Sequence, residues 1–161
     1  GESKEIAKHK KRVTCLAIID GKQIASGSDD GTVRLSDVDS PIVKHDGRIT
    51  CLADSVYGVV SADDTGVVCV RYIHADSVDR IIEHSYGTRV NCVTITSRGN
   101  VVSGGDDGTV RFWEPTATAN GVYLTGSSID SLVVDETGGQ FCVSLQNGEV
   151  LFLQLEPDVV S

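Results

Sequence analysis

One short turn sequence occurs twice in this chain, and two weaker copies follow at similar spacing. Residues 28–34 read Ser-Asp-Asp-Gly-Thr-Val-Arg, and residues 105–111 read Gly-Asp-Asp-Gly-Thr-Val-Arg. An Asp-Gly pair between apolar runs predicts a β-hairpin with a type I′ turn, because glycine accepts a positive φ. The weaker copies lie at residues 64–66 and 146–148. A repeat of roughly 40 residues is too long for one hairpin and predicts a four-stranded unit.

Each repeat contains four apolar segments that predict four short strands. The innermost segments are rich in β-branched residues and almost continuously apolar, which is typical of strands buried on both faces. No segment shows a sustained helical period, so we expect an all-β chain with essentially no helix. The predicted innermost strands cover residues 13–18, 49–53, 90–96 and 129–134, and the predicted outer strands cover residues 6–9, 42–45, 81–84 and 122–126.

Length and composition favour a single domain spanning residues 1–161. Of the 161 residues, 40% are hydrophobic, which is enough to bury a core. No apolar run approaches the roughly 18 residues that a membrane span needs. The net charge of −9 disfavours generic binding to phosphate backbones. The sequence has no Met, even at residue 1, which predicts a fragment or a processed chain.

The cysteines and acidic turns give no sign of a metal site. Cys15, Cys51 and Cys92 occupy the same place in successive repeats, so we interpret them as small reduced side chains in packed strands. No Cys-x-x-Cys pair occurs, and the acidic turns lack the spaced ligands of a calcium loop. We expect no metal and no cofactor. Reduced thiols predict a cytoplasmic or nuclear protein.

Across residues 5–156 the repeat resembles that of the WD40 family of β-propellers. The most typical stretch is residues 101–114, Val-Val-Ser-Gly-Gly-Asp-Asp-Gly-Thr-Val-Arg-Phe-Trp-Glu, in which Trp113-Glu114 replaces the family's Trp-Asp. The resemblance implies a propeller of four four-stranded blades. The implied repeats cover approximately residues 5–37, 41–73, 80–114 and 121–156.

The resemblance also implies how such a ring closes. In the family the first strand completes the last blade, which here would unite Glu5–His9 with the blade of residues 129–155. Three arrangements stay open: four blades closing alone, half of an eight-bladed dimer, or part of a larger propeller. Closing four blades demands strong curvature between them, which favours the other two arrangements.

Three residues have the types found in a hydrolase site. His84, Ser103 and Asp107 could serve as base, nucleophile and orienting group. The WD40 resemblance implies instead a structural hydrogen-bond network of His84, Ser103, Asp107 and Trp113, and no nucleophile elbow accompanies Ser103. We therefore predict that the chain is not an enzyme. The other repeats match this pattern only in part. The first has His9, Ser26 and Asp30, the second has His45 and Ser61 but Thr65 at the aspartate position, and the fourth has Ser144 with Asn147 in the turn.

Three arginines form a pattern that the fold does not require. Arg12, Arg48 and Arg89 each directly precede an innermost strand and should converge on one face of a propeller. Arginine suits carboxylate and phosphate, so this face is a candidate site for an acidic or phosphorylated peptide. Alternatively the arginines pair internally with turn residues. The expected partners in that case are Asp29, Asp63 and Asp106.

The function predicted from the sequence is that of a non-enzymatic protein–protein interaction platform or a scaffold subunit of a multiprotein complex. The alternative is a reader of RNA or of acidic or phosphorylated peptides through the arginine face. Expected partners are other proteins or peptides, and possibly a second copy that completes a ring. Nucleic acid is disfavoured by the net charge, although a basic cluster at residues 8–12 leaves it open, and no membrane partner is expected.

Overall fold

The structure is a computed structural model that describes residues 4–19, 21–55, 58–72, 80–114, 121–135 and 139–154. These residues form antiparallel β-strands and contain no helix, which confirms the all-β prediction. The described part of the chain accordingly has no helix with the length and apolarity that crossing a membrane would require. The strands assemble into four sheets that follow one another along the chain.

Three sheets have four strands and the last has three among the described residues. The first contains β1 (Val13–Ile19), β2 (Gln23–Ser28), β3 (Thr32–Leu35) and β4 (Val43–Lys44). The second contains β5 (Ile49–Ser55), β6 (Gly58–Asp63), β7 (Val67–Tyr72) and β8 (Arg80–Glu83). The third contains β9 (Val90–Ile95), β10 (Val101–Gly105), β11 (Thr109–Trp113) and β12 (Gly121–Leu124). The fourth contains β13 (Ile129–Val134), β14 (Gln140–Leu145) and β15 (Val150–Gln154).

The core of the molecule lies between successive sheets. Each of three apolar clusters joins one sheet to the next, so that burial depends on neighbouring sheets packing face to face. The inner strands β1, β5, β9 and β13 pack side by side in chain order, as the blades of a propeller do. This arrangement supports the predicted propeller blades. The clusters centre on Val33 and Ile49, on Val68 and Val90, and on Val110 and Ile129.

Within the described ranges, the four blades do not close into a ring. β1 and β13 do not pack against each other as the three consecutive pairs of inner strands do. Of the three arrangements left open by the sequence, closure of four blades alone is therefore not the one formed by the described residues. Each sheet packs on the next one along the chain, but the fourth sheet does not reach the first. The part of the chain that the structure describes is an open arc of four blades, whose two end faces have no neighbouring sheet.

The predicted outer strand at residues 6–9 is also not formed. Residues 4–9 have no strand structure, and Ile6 and Lys8 instead lie beside Arg34, Val38 and Asp39 of the first sheet. They do not join the fourth sheet as predicted for Glu5–His9, because the fourth sheet does not pack against the first.

The hairpin glycines adopt the predicted positive φ in a longer loop than expected. Three residues, rather than the two of a type I′ turn, join β2 to β3, β6 to β7 and β10 to β11. Gly31 has φ 78° and Gly108 has φ 70°. The N–H of each glycine donates to the carbonyl three residues earlier, at 3.1 Å to Ser28 and 3.2 Å to Gly105. This pattern is typical of a type I turn followed by a left-handed glycine.

Candidate functional site

The third sheet brings together the residues that resemble a hydrolase site. His84 follows β8 and enters the third sheet, where its Nδ1 lies 2.6 Å from Ser103 Oγ and its Nε2 lies 3.2 Å from Asp107 Oδ1. Thr109 Oγ1 donates to Asp107 Oδ1 at 2.7 Å. The ring of Trp113 packs against the imidazole at 6.1 Å between centroids. Both His84 and Ser103 are fully buried.

The first sheet contains a similar cluster around His9. His9 Nε2 lies 2.8 Å from Ser26 Oγ, and His9 Nδ1 lies 3.0 Å from Thr32 Oγ1 and 3.4 Å from Asp30 Oδ1. Asp30 also accepts the backbone N–H of Lys10 at 2.8 Å, which fixes the chain that leads into the sheet. Each His therefore ties the segment before an inner strand to the second strand and turn of the same sheet.

In the second sheet the carboxylate of this cluster comes from Asp63, which was predicted instead as a partner of the arginines. His45 Nε2 lies 2.8 Å from Ser61 Oγ, as in the first sheet, but its Nδ1 lies 2.9 Å from Asp63 Oδ2. Thr65, at the predicted position of the aspartate, donates to Asp63 through both its backbone N–H and its hydroxyl, at 2.9 and 2.8 Å. The second sheet thus has a buried carboxylate two residues before the expected position.

The fourth sheet has no His–Ser pair at this place. Counting back from the turn glycine Gly148 places Val143, and not Ser144, at the position of Ser26, Ser61 and Ser103. Val143 is buried in the cluster between the third and fourth sheets. The prediction that Ser144 belongs to the network is therefore wrong by one residue.

Hydrogen bonding keeps the aspartates of these clusters ionised. Burial alone would raise the pKa of Asp63, but hydrogen bonds from His45, Val67 and Thr65 outweigh it and lower the pKa to about 2. The pKa of Asp107 is lowered in the same way, because hydrogen bonds from Thr109 outweigh its burial. Burial lowers the pKa of His84 despite the nearby Asp107 carboxylate, so its imidazole is neutral near pH 7.

The predicted arginines lie along one edge of the arc. All four sheets share one backbone hydrogen bond. In each, an N–H of the turn after the second strand donates to the carbonyl of the residue that precedes the inner strand. The donors and acceptors are Asp29 N and Arg12 O (2.9 Å), Asp64 N and Arg48 O (3.1 Å), Asp106 N and Arg89 O (2.9 Å), and Gln146 N and Ser128 O (3.0 Å). The three arginines therefore occupy equivalent places beside the acidic turns.

Two of the arginines pair with these turns. Arg12 Nε lies 3.3 Å from Asp29 Oδ2, as predicted. Arg48 Nε lies 2.8 Å from Asp64 Oδ2, whereas the predicted partner Asp63 is occupied by His45. The hydrogen bond and charge of Asp64 raise the pKa of Arg48 above its ordinary value.

Arg89 makes a different contact from the one predicted. Its Nε donates to Asn91 Oδ1 at 3.0 Å, and Asn91 in turn donates to Asp106 at 2.6 Å. The interaction between Arg89 and the acidic turn of the third sheet thus runs through Asn91.

A cleft between the first and second sheets was not foreseen from the sequence. It has a volume of about 520 Å³ and is lined by residues that include Lys44, Ile81, Glu83 and Tyr86. Ile81 and Tyr86 are strongly exposed apolar side chains. The repeat pattern does not identify this cleft, because strand residues such as Lys44 and Ile81 line it together with connection residues such as Tyr86.

The described residues contain no cluster of His, Cys, Asp and Glu that could hold a metal ion. None of the five cysteines is part of a disulfide. Burial raises the pKa of Cys51 to about 12, which makes its thiolate scarce at neutral pH.

Comparison with known proteins agrees with the architecture. A family model, "WD domain, G-beta repeat", matches residues 2–37 and 75–114. No curated protein matches the sequence significantly. Among solved structures, the chain is similar to the computationally designed Ika4 protein with TM-score 0.76 and 22% identity, covering 96% of this chain and 100% of that one.

Two longer chains share the fold. The WD40 beta propeller domain of Doa1 has TM-score 0.78 and 22% identity, and the match covers 94% of this chain and 53% of that chain. A chain of the Mitotic Checkpoint Complex has TM-score 0.80 and 14% identity, over 92% of this chain and 49% of that chain. The chain therefore spans about half the length of these two relatives. The repeat matches at residues 2–37 and 75–114 and the blade architecture together support assigning this chain to the WD40-repeat β-propellers.

Proposed function

We propose that this chain is a non-enzymatic protein-interaction platform that binds acidic or phosphorylated segments of partner proteins along its arginine edge. We define the arginine edge as Arg12, Arg48 and Arg89. WD40 propellers generally bind other proteins, and one structural neighbour is a chain of the Mitotic Checkpoint Complex. The observation that carries the proposal is that three exposed arginines occupy equivalent places on one edge of an acidic protein.

The ion pairs along this edge leave the arginines accessible. The side chain of Arg12 is 78% exposed although its partner Asp29 is 22% exposed, and Arg48 is 63% exposed beside an 18% exposed Asp64. Both pairs use Nε, so the terminal nitrogens can offer a bidentate contact to a carboxylate or phosphate. In this interpretation the aspartates hold the guanidinium groups at a fixed spacing.

The buried histidine clusters support a structural role for the catalytic-looking residues. A hydroxyl near an imidazole and a carboxylate could in principle act as a nucleophile. However, similar clusters occur in three sheets, and the buried His84 and Ser103 face other strands of their own blade rather than a cleft. From the cysteine usage of the sequence we also propose a cytoplasmic or nuclear location.

The arginine edge can be tested with charge-reversal variants and short labelled peptides. The probes are an acidic peptide library containing phosphoserine, its unphosphorylated form, and a single-stranded RNA. We expect fluorescence anisotropy to detect binding of the phosphorylated library, and the triple variant Arg12→Glu, Arg48→Glu, Arg89→Glu to weaken it at least about tenfold, because charge-assisted hydrogen bonds are lost.

The matched control reverses the same number of charges elsewhere. Lys22, Lys44 and Arg98 are exposed and lie outside the arginine edge, so their triple Glu variant should bind within about twofold of the original chain. Equal binding by both triple variants, or absence of peptide binding, would rule out the arginine edge. Preferential binding of RNA with a steep salt dependence would favour the alternative function instead.

A further inference from the structure

The first sheet exposes a face that every later sheet buries. The residue that begins the inner strand is 0% exposed in the second, third and fourth sheets because it packs on the preceding sheet, but Val13 in the first sheet is 46% exposed. Leu16 is also exposed, whereas the equivalent Val93 and Leu132 are buried. We call this the leading face, formed by Val13, Leu16 and Ile18. The buried equivalents of Val13 are Ile49, Val90 and Ile129.

The fourth sheet exposes the face that each earlier sheet packs against the sheet after it. Val150 is 72% exposed and Phe152 is 62% exposed. Their equivalents in the first three sheets are all buried against the following sheet. We call Ser144, Val133, Cys142, Val150 and Phe152 the trailing face. The buried equivalents of Val150 and Phe152 are Val33 and Leu35, Val68 and Val70, and Val110 and Phe112.

The trailing face retains the packing site that receives the next blade. At two internal junctions a glycine leaves room for the isoleucine of the next inner strand. A Cβ on Gly27 would lie 2.5 Å from Ile49 Cγ2, and one on Gly104 would lie 2.7 Å from Ile129 Cγ2. The small residue Ser144 has the equivalent position in the fourth sheet and lines an open groove of about 140 Å³. The groove is therefore placed to receive a residue equivalent to Val13.

The N-terminal segment has the position of an outer strand that belongs to another sheet. Elsewhere an outer strand of one blade leads directly into the residues that dock on the next blade, as β4 leads to His45 and β8 leads to His84. Ile6–Lys8 leads in the same way to His9, which docks on the first sheet. Such a segment is the outer strand of a blade preceding the first, and the fourth sheet has no outer strand among its described residues.

The charges at the two ends of the arc have opposite signs. Lys8, Lys10 and Lys11 are exposed next to the leading face, whereas Asp130 and Glu149 are exposed on the fourth sheet. Asp130 stands where the other sheets carry the neutral side chains of Thr14, Thr50 and Asn91. Opposite charges at the two ends favour joining a leading face to a trailing face and disfavour joining like faces.

From these observations we infer that two copies of this chain form a closed eight-bladed ring. The leading face of each copy packs on the trailing face of the other, and Ile6–Lys8 of each copy becomes the outer strand of the other's fourth sheet. Each copy has one leading face and one trailing face. Two copies therefore bury all four faces through two identical contacts. The superposition of the arc on about half of two longer propeller chains agrees with this curvature.

The mass of the chain in solution tests the inference. We expect light scattering after size exclusion to give twice the chain mass of 17.1 kDa. Val13→Glu on the leading face and Val150→Glu on the trailing face should each give monomers, because each buries a charge at both junctions. Val122→Glu is the matched control, since Val122 is an exposed valine of β12 that lies on neither face, and it should stay dimeric.

Hydrogen exchange tests the strand exchange separately. The amides of Ile6–Lys8 should be protected in the dimer and should exchange at least about tenfold faster in Val13→Glu. A monomeric original chain, a dimer that persists in either glutamate variant, or assemblies larger than two copies would overturn the inference. A dimer in which these amides are unprotected would overturn the strand exchange. If Val13→Glu does not fold, the Val150→Glu result decides.

Discussion

Replacing Asp63 by alanine should destabilise the chain by about 3–5 kcal/mol. The Asp63 side chain is 0% exposed and accepts hydrogen bonds from His45 Nδ1 at 2.9 Å, from Thr65 twice, and from the N–H of Val67 at 3.0 Å. Alanine leaves these buried donors without an acceptor, and water cannot replace the carboxylate in this position. Urea unfolding followed by circular dichroism measures the change.

Asp107→Ala is the matched control for this variant. Asp107 accepts from Thr109 and contacts His84 in the third sheet, but its side chain is 18% exposed, so water can partly replace it. We expect a loss of about 1–3 kcal/mol, smaller than for Asp63→Ala. Equal losses, or a loss below about 1 kcal/mol for Asp63→Ala, would contradict the role assigned to the buried carboxylate.

The same carboxylate makes the stability depend on acid. The pKa of Asp63 is about 2 in the folded chain, below the ordinary aspartate value, so its contribution is fully present above about pH 4. The contribution is lost as the pH falls toward 2 and Asp63 takes up a proton. Asp63→Ala should therefore show a shallower loss of stability than the original chain over this interval.

Gly66→Ala should cost at least about 3 kcal/mol. Gly66 has φ 98°, a left-handed conformation that alanine adopts only with strain. A Cβ at this position would also collide with the backbone carbonyl oxygen of Ser85 and approach Thr88 O to 3.1 Å. The carbonyl of Gly66 accepts the N–H of His84 at 2.8 Å, so relieving the collision disturbs the entry into the third sheet.

Gly87→Ala is the matched control for Gly66→Ala, because it introduces the strain of a positive φ without a steric collision. Gly87 has φ 75°, but no other heavy atom lies within 4 Å of the position that its Cβ would take. We expect this variant to lose only about 1 kcal/mol in the same urea titration. A similar loss in both variants would show that the backbone of Ser85 yields easily and that the turn does not constrain the third sheet.

The repeat predicted the sheets well because turn and strand signals are local. The spacing of Gly31, Gly66, Gly108 and Gly148 marks four hairpins, and a hairpin needs only its own residues to be recognised. The sequence favoured arrangements other than four blades closing alone, but the shape of the arc itself could not be predicted from local signals. It depends on the angle between consecutive sheets, which arises from the packing of side chains that are far apart in sequence.

The sequence contains information that would have corrected the prediction of Ser144. Ser26, Ser61 and Ser103 each lie five residues before the turn glycine, and the same count from Gly148 gives Val143. The Val-Ser pair at residues 143–144 resembles the Val-Ser pair at residues 102–103, but it lies one position closer to its turn glycine. Asp63 was overlooked because aligning the turns placed Thr65 at the aspartate position. A carboxylate two residues earlier still reaches His45, since it lies at the end of β6.

Native-state hydrogen exchange of Val13→Glu tests most directly whether the core lies between successive blades. We expect the amides of β6 and β10 to be the best protected, because their sheets have a neighbour on both faces, and those of β15 to be the least protected. Protection of β15 equal to that of β6 and β10 would contradict an open arc whose stability comes from the packing of each blade on the next.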